Sequence, residues 1–238
     1  MKKIKLFLII IFIAISILGV VILLLNFKSF MIPSEGMKNT LFSKDMIIAQ
    51  KKKSVKHGDV IIFHYPKQPE AYFIQRLVAK GADEVLYVDS KLLIHFYQGD
   101  SYIQKNYSQQ NIKNYLGKLW VENPYMFENK NIHYTLGSKR KENVFQVMLQ
   151  KSNNVNTFAM KAIFLDDKSL KTYGLNGTKV NAFYHRVKKD SYFVVGDNRE
   201  HSYDSRFWGD VSNKYLYGVS KIVYFNYLHL NRIGTFIR

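Results

Sequence analysis

Gly196-Asp197-Asn198-Arg199-Glu200-His201-Ser202-Tyr203-Asp204-Ser205-Arg206-Phe207-Trp208-Gly209 is the stretch on which the reading turns. It follows Tyr192-Phe193-Val194-Val195, a β-branched and aromatic run with the character of a strand. Gly-Asp-Asn at the end of such a run is turn chemistry, since these residues accept the backbone angles a reversal needs. A turn leading into a charged loop accounts for Gly196 to Asn198. It leaves the spacing of Ser202, Asp204, Ser205 and Arg206 unexplained.

Upstream of this stretch, short runs of the same strand character recur. They are Met46-Ile47-Ile48-Ala49, Asp59-Val60-Ile61-Ile62-Phe63, Ala71 to Val78 and Glu84-Val85-Leu86-Tyr87-Val88, each bounded by Gly, Pro, Asp or Lys. Leu216 to Leu228 is expected to form a strand pair. Phe30 to Met37 reads as an extended junction, because Pro33 restricts Ile32 to extended geometry. From 94 to 189 the chain turns rich in Lys, Asn, Tyr and Gln, which suggests an inserted region of short strands and long loops, its helix content open.

The first segment has a different physics. Leu6 to Leu25 carries no charge over twenty residues. As a helix it spans roughly 30 Å, the thickness of a bilayer's hydrocarbon core. A cleaved export signal has a shorter apolar run, about 7–15 residues, and a small-x-small site. Asn26-Phe27-Lys28-Ser29-Phe30 offers none, so an uncleaved anchor is expected. Lys2, Lys3 and Lys5 precede the run and only Lys28 closely follows it. That asymmetry places residues 1–5 in the cytoplasm and the main domain outside.

Composition narrows the chemistry. There are no cysteines, which excludes disulfides and thiolate sites. His57, His64, His95, His133, His185 and His229 show no metal-ligand spacing, and no metal or cofactor is expected. Thirty-five basic residues against 18 acidic ones give a net charge of +17, which suits anionic membrane surfaces or wall polymers. Nucleic acid is discounted, because the anchor removes the domain from it and no binding motif is present.

Three further segments complete a pattern. Ile32-Pro33-Ser34-Glu35-Gly36-Met37-Lys38-Asn39-Thr40-Leu41 is similar to P-S-x-S-M-x-P-T-L. His57-Gly58-Asp59-Val60-Ile61-Ile62-Phe63 is similar to G-D-I/V-V-x-F. Ile74-Gln75-Arg76-Leu77-Val78 stands where K-R-V-I/V-G-x-P-G-D is found, and 196–209 matches G-D-N-R-x-x-S-x-D-S-R-x-x-G at every defined position. In this order, behind an apolar helix, the four resemble the boxes of type I signal peptidases. The resemblance covers about 1–90 and 190–225. It implies a mostly β fold: an antiparallel sheet domain of signal-peptidase type (30–93 and 190–238) with an inserted second region (94–189), after one transmembrane helix (6–25).

In that family a serine attacks the scissile carbonyl and a lysine of lowered pKa takes its proton. Here the resemblance puts Gly36 at the nucleophile position and Gln75 at the general-base position. Glycine has no nucleophile, and a carboxamide takes up no proton near neutral pH. The supporting residues remain by resemblance: Ser34 for the oxyanion, Ser202 for orienting the base, and the ion pairs Arg76–Asp197 and Asp204–Arg206. Asn39 replaces a proline, and Ala79-Lys80-Gly81-Ala82-Asp83 departs from G-x-P-G-D. In an extended strand Ser34 would lie about 6.5 Å from Gly36. Lys38, Lys80 and His201 are not placed to replace the base.

The reading that follows is a non-catalytic, membrane-anchored signal-peptidase-like protein. It resembles the degenerate members that assist pilus assembly in Gram-positive bacteria and implies an exported precursor or pilin, possibly with a sortase, as partner. Two alternatives stand beside it: an active signal peptidase using a shifted residue such as Ser34, and a basic module for the membrane surface or wall.

Overall fold

In a computed structural model of the chain, the structure describes residues 2–52, 54–122, 124–125, 144–152 and 160–237. In chain order the elements are α1 (Lys2–Asn26), β1 (Phe27–Met31), β2 (Met46–Lys51), β3 (Val60–Tyr65), β4 (Gln68–Lys80), β5 (Glu84–Val88), β6 (Lys91–His95), α2 (Asp100–Asn106), β7 (Ile112–Tyr115), β8 (Lys118–Glu122) and α3 (Val144–Ser152). They continue with β9 (Lys161–Ile163), β10 (Tyr173–Leu175), β11 (Thr178–Val180), β12 (Ala182–Arg186), β13 (Ser191–Val195), α4 (Ser205–Trp208), β14 (Val211–Ser212) and β15 (Leu216–Phe225).

The helix α1 is apolar on every side and long enough to cross a membrane, and none of its apolar span is covered by the rest of the chain. Such a helix finds its burial outside the protein. It passes into β1 without a linker. Just beyond it, the Lys28 ammonium lies over the rings of Tyr72 and Phe30, 4.5 and 5.1 Å from their centroids.

Two antiparallel sheets follow, mostly β as the sequence implies. The first has the order β1-β2-β15-β3-β4-β13-β14 and the second β7-β8-β6-β5-β12-β9; β10 and β11 make a small hairpin. The runs richest in Val, Ile and Phe become strands buried on both faces, β3, β5 and β13 among them. Such runs are stable only between two covering layers.

Two sequence expectations change here. Leu216 to Leu228 is one strand, not a pair. Asn226 stops it by accepting the backbone N–H groups of Leu228 and His229 on its side-chain oxygen, at 2.8 and 3.0 Å. The second sheet does not begin at residue 94, for it takes β5 and β6 from the preceding segment. The two sheets share one buried cluster: Val78, Ala79, Phe193 and Val195 of the first meet Tyr87, Ile94 and Phe183 of the second, with Phe96 just beyond β6. The 94–189 stretch contains α2 and α3, which the sequence left open; 126–143 and 153–159, and with them His133, lie outside the described residues.

Because both sheets share this cluster, they are expected to unfold together. Phe193→Ala should cost about 3–5 kcal/mol by leaving a cavity at the junction. Denaturant titration followed by tryptophan fluorescence and by circular dichroism should show a single coincident transition shifted to lower denaturant. Two separate transitions would mean two independent units.

Candidate functional site

Strand β4 is thirteen residues long and carries Gln75 and Arg76 side by side. Successive side chains of a strand point to opposite faces, so the two serve different surroundings. Arg76 is completely buried. Its guanidinium grips Asp197 with two bonds, Nε to Oδ1 at 2.7 Å and Nη2 to Oδ2 at 2.6 Å. It also donates to the Gly58 carbonyl at 2.6 Å and to Thr40 Oγ1 at 3.0 Å, while the Thr40 hydroxyl donates to Asp197. One cation thus joins β4, the 34–41 turn, the start of β3 and the stretch that follows β13. Thr40 stands in the first box of the sequence, but its place in this junction comes only from the fold.

A second buried pair lies within the last box. Arg206 binds Asp204 through Nε to Oδ1 and Nη2 to Oδ2, both at 2.8 Å, and reaches the Arg199 carbonyl at 2.6 Å. Burial alone would lower the Arg206 pKa, but Asp204 together with Tyr87 and Glu200 outweighs it and holds the guanidinium above its usual range. Asp204 also accepts from the backbone N–H groups of Gly196 and Arg206, which fixes α4 against the end of β13. Arg199 is buried as well, and loss of solvent pushes it down to about 10.

Gln75 and Ser202, neighbours in the chain of these pairs, line a groove of about 470 Å³. Its walls include Phe30, Ile32, Met37, Tyr72 and Ile74, and Ser34, Gly36, Gln75 and Ser202 gather at one place within it. The junction over 30–37, expected to be extended, is not extended throughout. It bends at Ser34 and turns over Gly36 to Thr40, with Lys38 N–H donating to Glu35 O and Leu41 N–H to Met37 O. Asn198 staples this turn to the last box, donating from its backbone to Gly36 O and from its side chain to Glu35 O, both at 3.1 Å. Gly196 is the residue that permits the approach, for a side chain there would collide with Ser202 Oγ and the Gly36 carbonyl.

The bend leaves the Ser34 side chain facing position 36. Its hydroxyl lies 3.8 Å from the point a Gly36 side chain would occupy, as does Ser202 Oγ. A side chain at 36 would meet only ordinary contacts. Gln75 is buried and donates through Nε2 to the Tyr203 carbonyl at 3.0 Å and to Ser202 Oγ at 3.5 Å. Its Oε1 has no hydrogen-bond partner among the described residues. No acidic, histidine or lysine side chain is hydrogen-bonded to Ser34 among the described residues. His201 is exposed, and Lys80 turns away to the Val55 carbonyl at 3.0 Å. No group of three or more His, Cys, Asp or Glu is placed to hold a metal among the described residues.

A family model described as "Signal peptidase, peptidase S26" matches residues 3–225. The chain belongs to that family. The match includes the middle of the chain, which the four boxes alone left out. Signal peptidase I of Helicobacter pylori is 31% identical over 242 residues, covering 87% of this chain and 79% of that protein. Signal peptidase I of Aquifex aeolicus is 30% identical over 219 residues, covering 84% of this chain and 76% of that protein. A crystal structure of a signal peptidase I from Enterococcus faecalis covers 70% of this chain and 96% of its own, with a TM-score of 0.32 and 17% identity.

Breaking the Arg76–Asp197 pair should unfold the site rather than tune it. Asp197→Ala leaves a buried guanidinium uncompensated and should cost about 3–5 kcal/mol. The double change Arg76→Met with Asp197→Ala should cost less than the two singles summed. Chemical denaturation of the four proteins in a double-mutant cycle measures the coupling, and strict additivity would show that the pair does not act as a unit.

Proposed function

We propose that this chain is a membrane-anchored member of the signal peptidase I family that holds an extended segment of an exported protein without cutting it. The observation that carries the proposal is the pairing of Gly36 with Gln75 in the groove. A serine nucleophile needs an adjacent base. Position 36 offers no hydroxyl, and Gln75 spends its amide on Tyr203 O and Ser202 Oγ. What remains is a groove with apolar walls beside a sheet, suited to an extended peptide. The fully buried ion pairs support the same reading, because they keep a structural job when chemistry is gone.

The partner class is an exported precursor. A pilin that a sortase later joins is one member of that class, suggested by the degenerate relatives the motifs resemble. The named relatives, from Helicobacter and Aquifex, do not point to pilus assembly or to a Gram-positive source. The helix α1 acts as the anchor, with the cytoplasmic lysines before it and the groove on the outer side.

A second reading has one observation in its favour. Ser34 Oγ lies close to the vacant side-chain position at 36, so cleavage through Ser34 is the specific competitor. Both readings meet in one assay. The purified full chain, incubated with a precursor bearing an export signal, should leave it intact. Gly36→Ser combined with Gln75→Lys should raise cleavage by about 10²–10⁴-fold, the range a positioned general base supplies. Either single change should not. Cleavage by the unmodified chain that disappears in Ser34→Ala would establish the competing reading.

A further inference from the structure

The groove runs along an open strand edge. On its β13 side, β4 is paired only from Arg76 to Lys80, so Tyr72 to Gln75 face the groove with no strand beside them among the described residues. Tyr72 and Ile74 point to one face of β4, where Tyr72 meets the Phe30 ring at 5.0 Å. Phe73 and Gln75 point to the other face, where Gln75 is bonded to the Tyr203 carbonyl. Phe30, Tyr72 and Tyr203 all line the groove, so each of its two walls carries an aromatic ring.

A lysine lies over the rings of each wall. Lys28 Nζ is 4.5 Å from the Tyr72 centroid, 5.1 Å from Phe30 and 5.6 Å from Tyr217. Lys151 Nζ is 5.3 Å from Tyr203 and 5.0 Å from Phe207. Both contacts reach across the fold. The other lysine–ring contacts among the described residues, Lys171 over Tyr173 and Lys214 over Tyr215, join near neighbours in the chain. The position of Lys151 is set by α3, whose first residue, Val144, donates its N–H to Glu200 Oε2 at 3.1 Å. The helix is thus tied to the last box at both ends.

A ring face holds an ammonium through its charge and leaves N–H donors for an outside acceptor. Both lysines are exposed, and the groove lining contains no Asp or Glu to neutralise them. Unpaired lysines occur elsewhere on the domain; these two differ in being fixed on the groove walls.

We infer that Lys28 and Lys151 are specificity-determining residues, one for each wall, and that the segment held in the groove carries Asp or Glu and no Lys or Arg. The inference rests on the groove holding an extended segment. Laid along β4, such a segment sends alternate side chains to opposite walls. A carboxylate in one register then meets Lys28, and in the other Lys151, whereas a basic side chain meets like charge in either.

The test uses the full chain in detergent micelles and fluorescein-labelled host peptides of Ala, Val and Ser, with binding read by fluorescence anisotropy. A single Asp, Asn or Lys is moved one position at a time along the host. Asp peptides should bind tightest and Lys peptides weakest, each step being about 2–5-fold, the range of an exposed ion pair. Lys151→Gln should remove the preference at every second position and Lys28→Gln at the positions between, while Lys151→Arg should keep it. A preference that ignores position, or that falls equally in Lys91→Gln, would overturn the inference in favour of the domain's overall charge. Equal binding of Asp, Asn and Lys peptides would overturn it as well. Failure of every host peptide to bind would instead overturn the holding role of the groove, and the inference with it.

Discussion

The clasp of Arg76 on Asp197 is the constraint on which the site depends. A fully buried guanidinium is tolerable only when its donors are matched, and here they reach a carboxylate, a hydroxyl and a backbone carbonyl at once. The partners come from segments more than a hundred residues apart. The clasp ties the 34–41 turn to β4 and to the box after β13, which β4 already meets through its pairing with β13. Position 36 is brought to Ser202 by this clasp, by the Asn198 staple and by the absence of a side chain at Gly196.

That architecture surrounds Gly36 and Gln75 with buried ion pairs. Removing Arg76, Asp197, Asp204 or Arg206 would orphan a buried charged partner, a cost larger than that of losing a neutral contact. A side chain at 36 would touch its neighbours only at ordinary contact distance. Polar satisfaction is incomplete around it: Gln75 Oε1, Arg199 Nε and Nη2, and Arg206 Nη1 are buried without a hydrogen-bond partner among the described residues.

The two sheets meet in a common apolar cluster, so the groove is set by a single rigid body rather than by the relative placing of two domains. On the second sheet Lys91 and Lys113 pair with Glu122 and Lys118 with Glu84.

Much of this was open to reading in one dimension. The apolar run from Leu6 to Leu25, the strands of β-branched residues and the last box, Gly196 to Gly209, are local signals. Periodicity, hydropathy and motif spacing are properties of neighbouring residues, and the residue types at 36 and 75 follow from them directly. Several features lay beyond that reach. The role of Thr40, the stapling by Asn198, the nearness of Ser34 to position 36, the single strand ended by Asn226 and the transfer of β5 and β6 to the second sheet all depend on contacts between distant segments. A bend of the chain at Ser34 decides what its hydroxyl faces, and a sheet's membership is set by pairing across the fold. Local chemistry determined which groups this protein has; long-range packing decided which of them touch, because burial and hydrogen-bond satisfaction are settled by the whole chain at once.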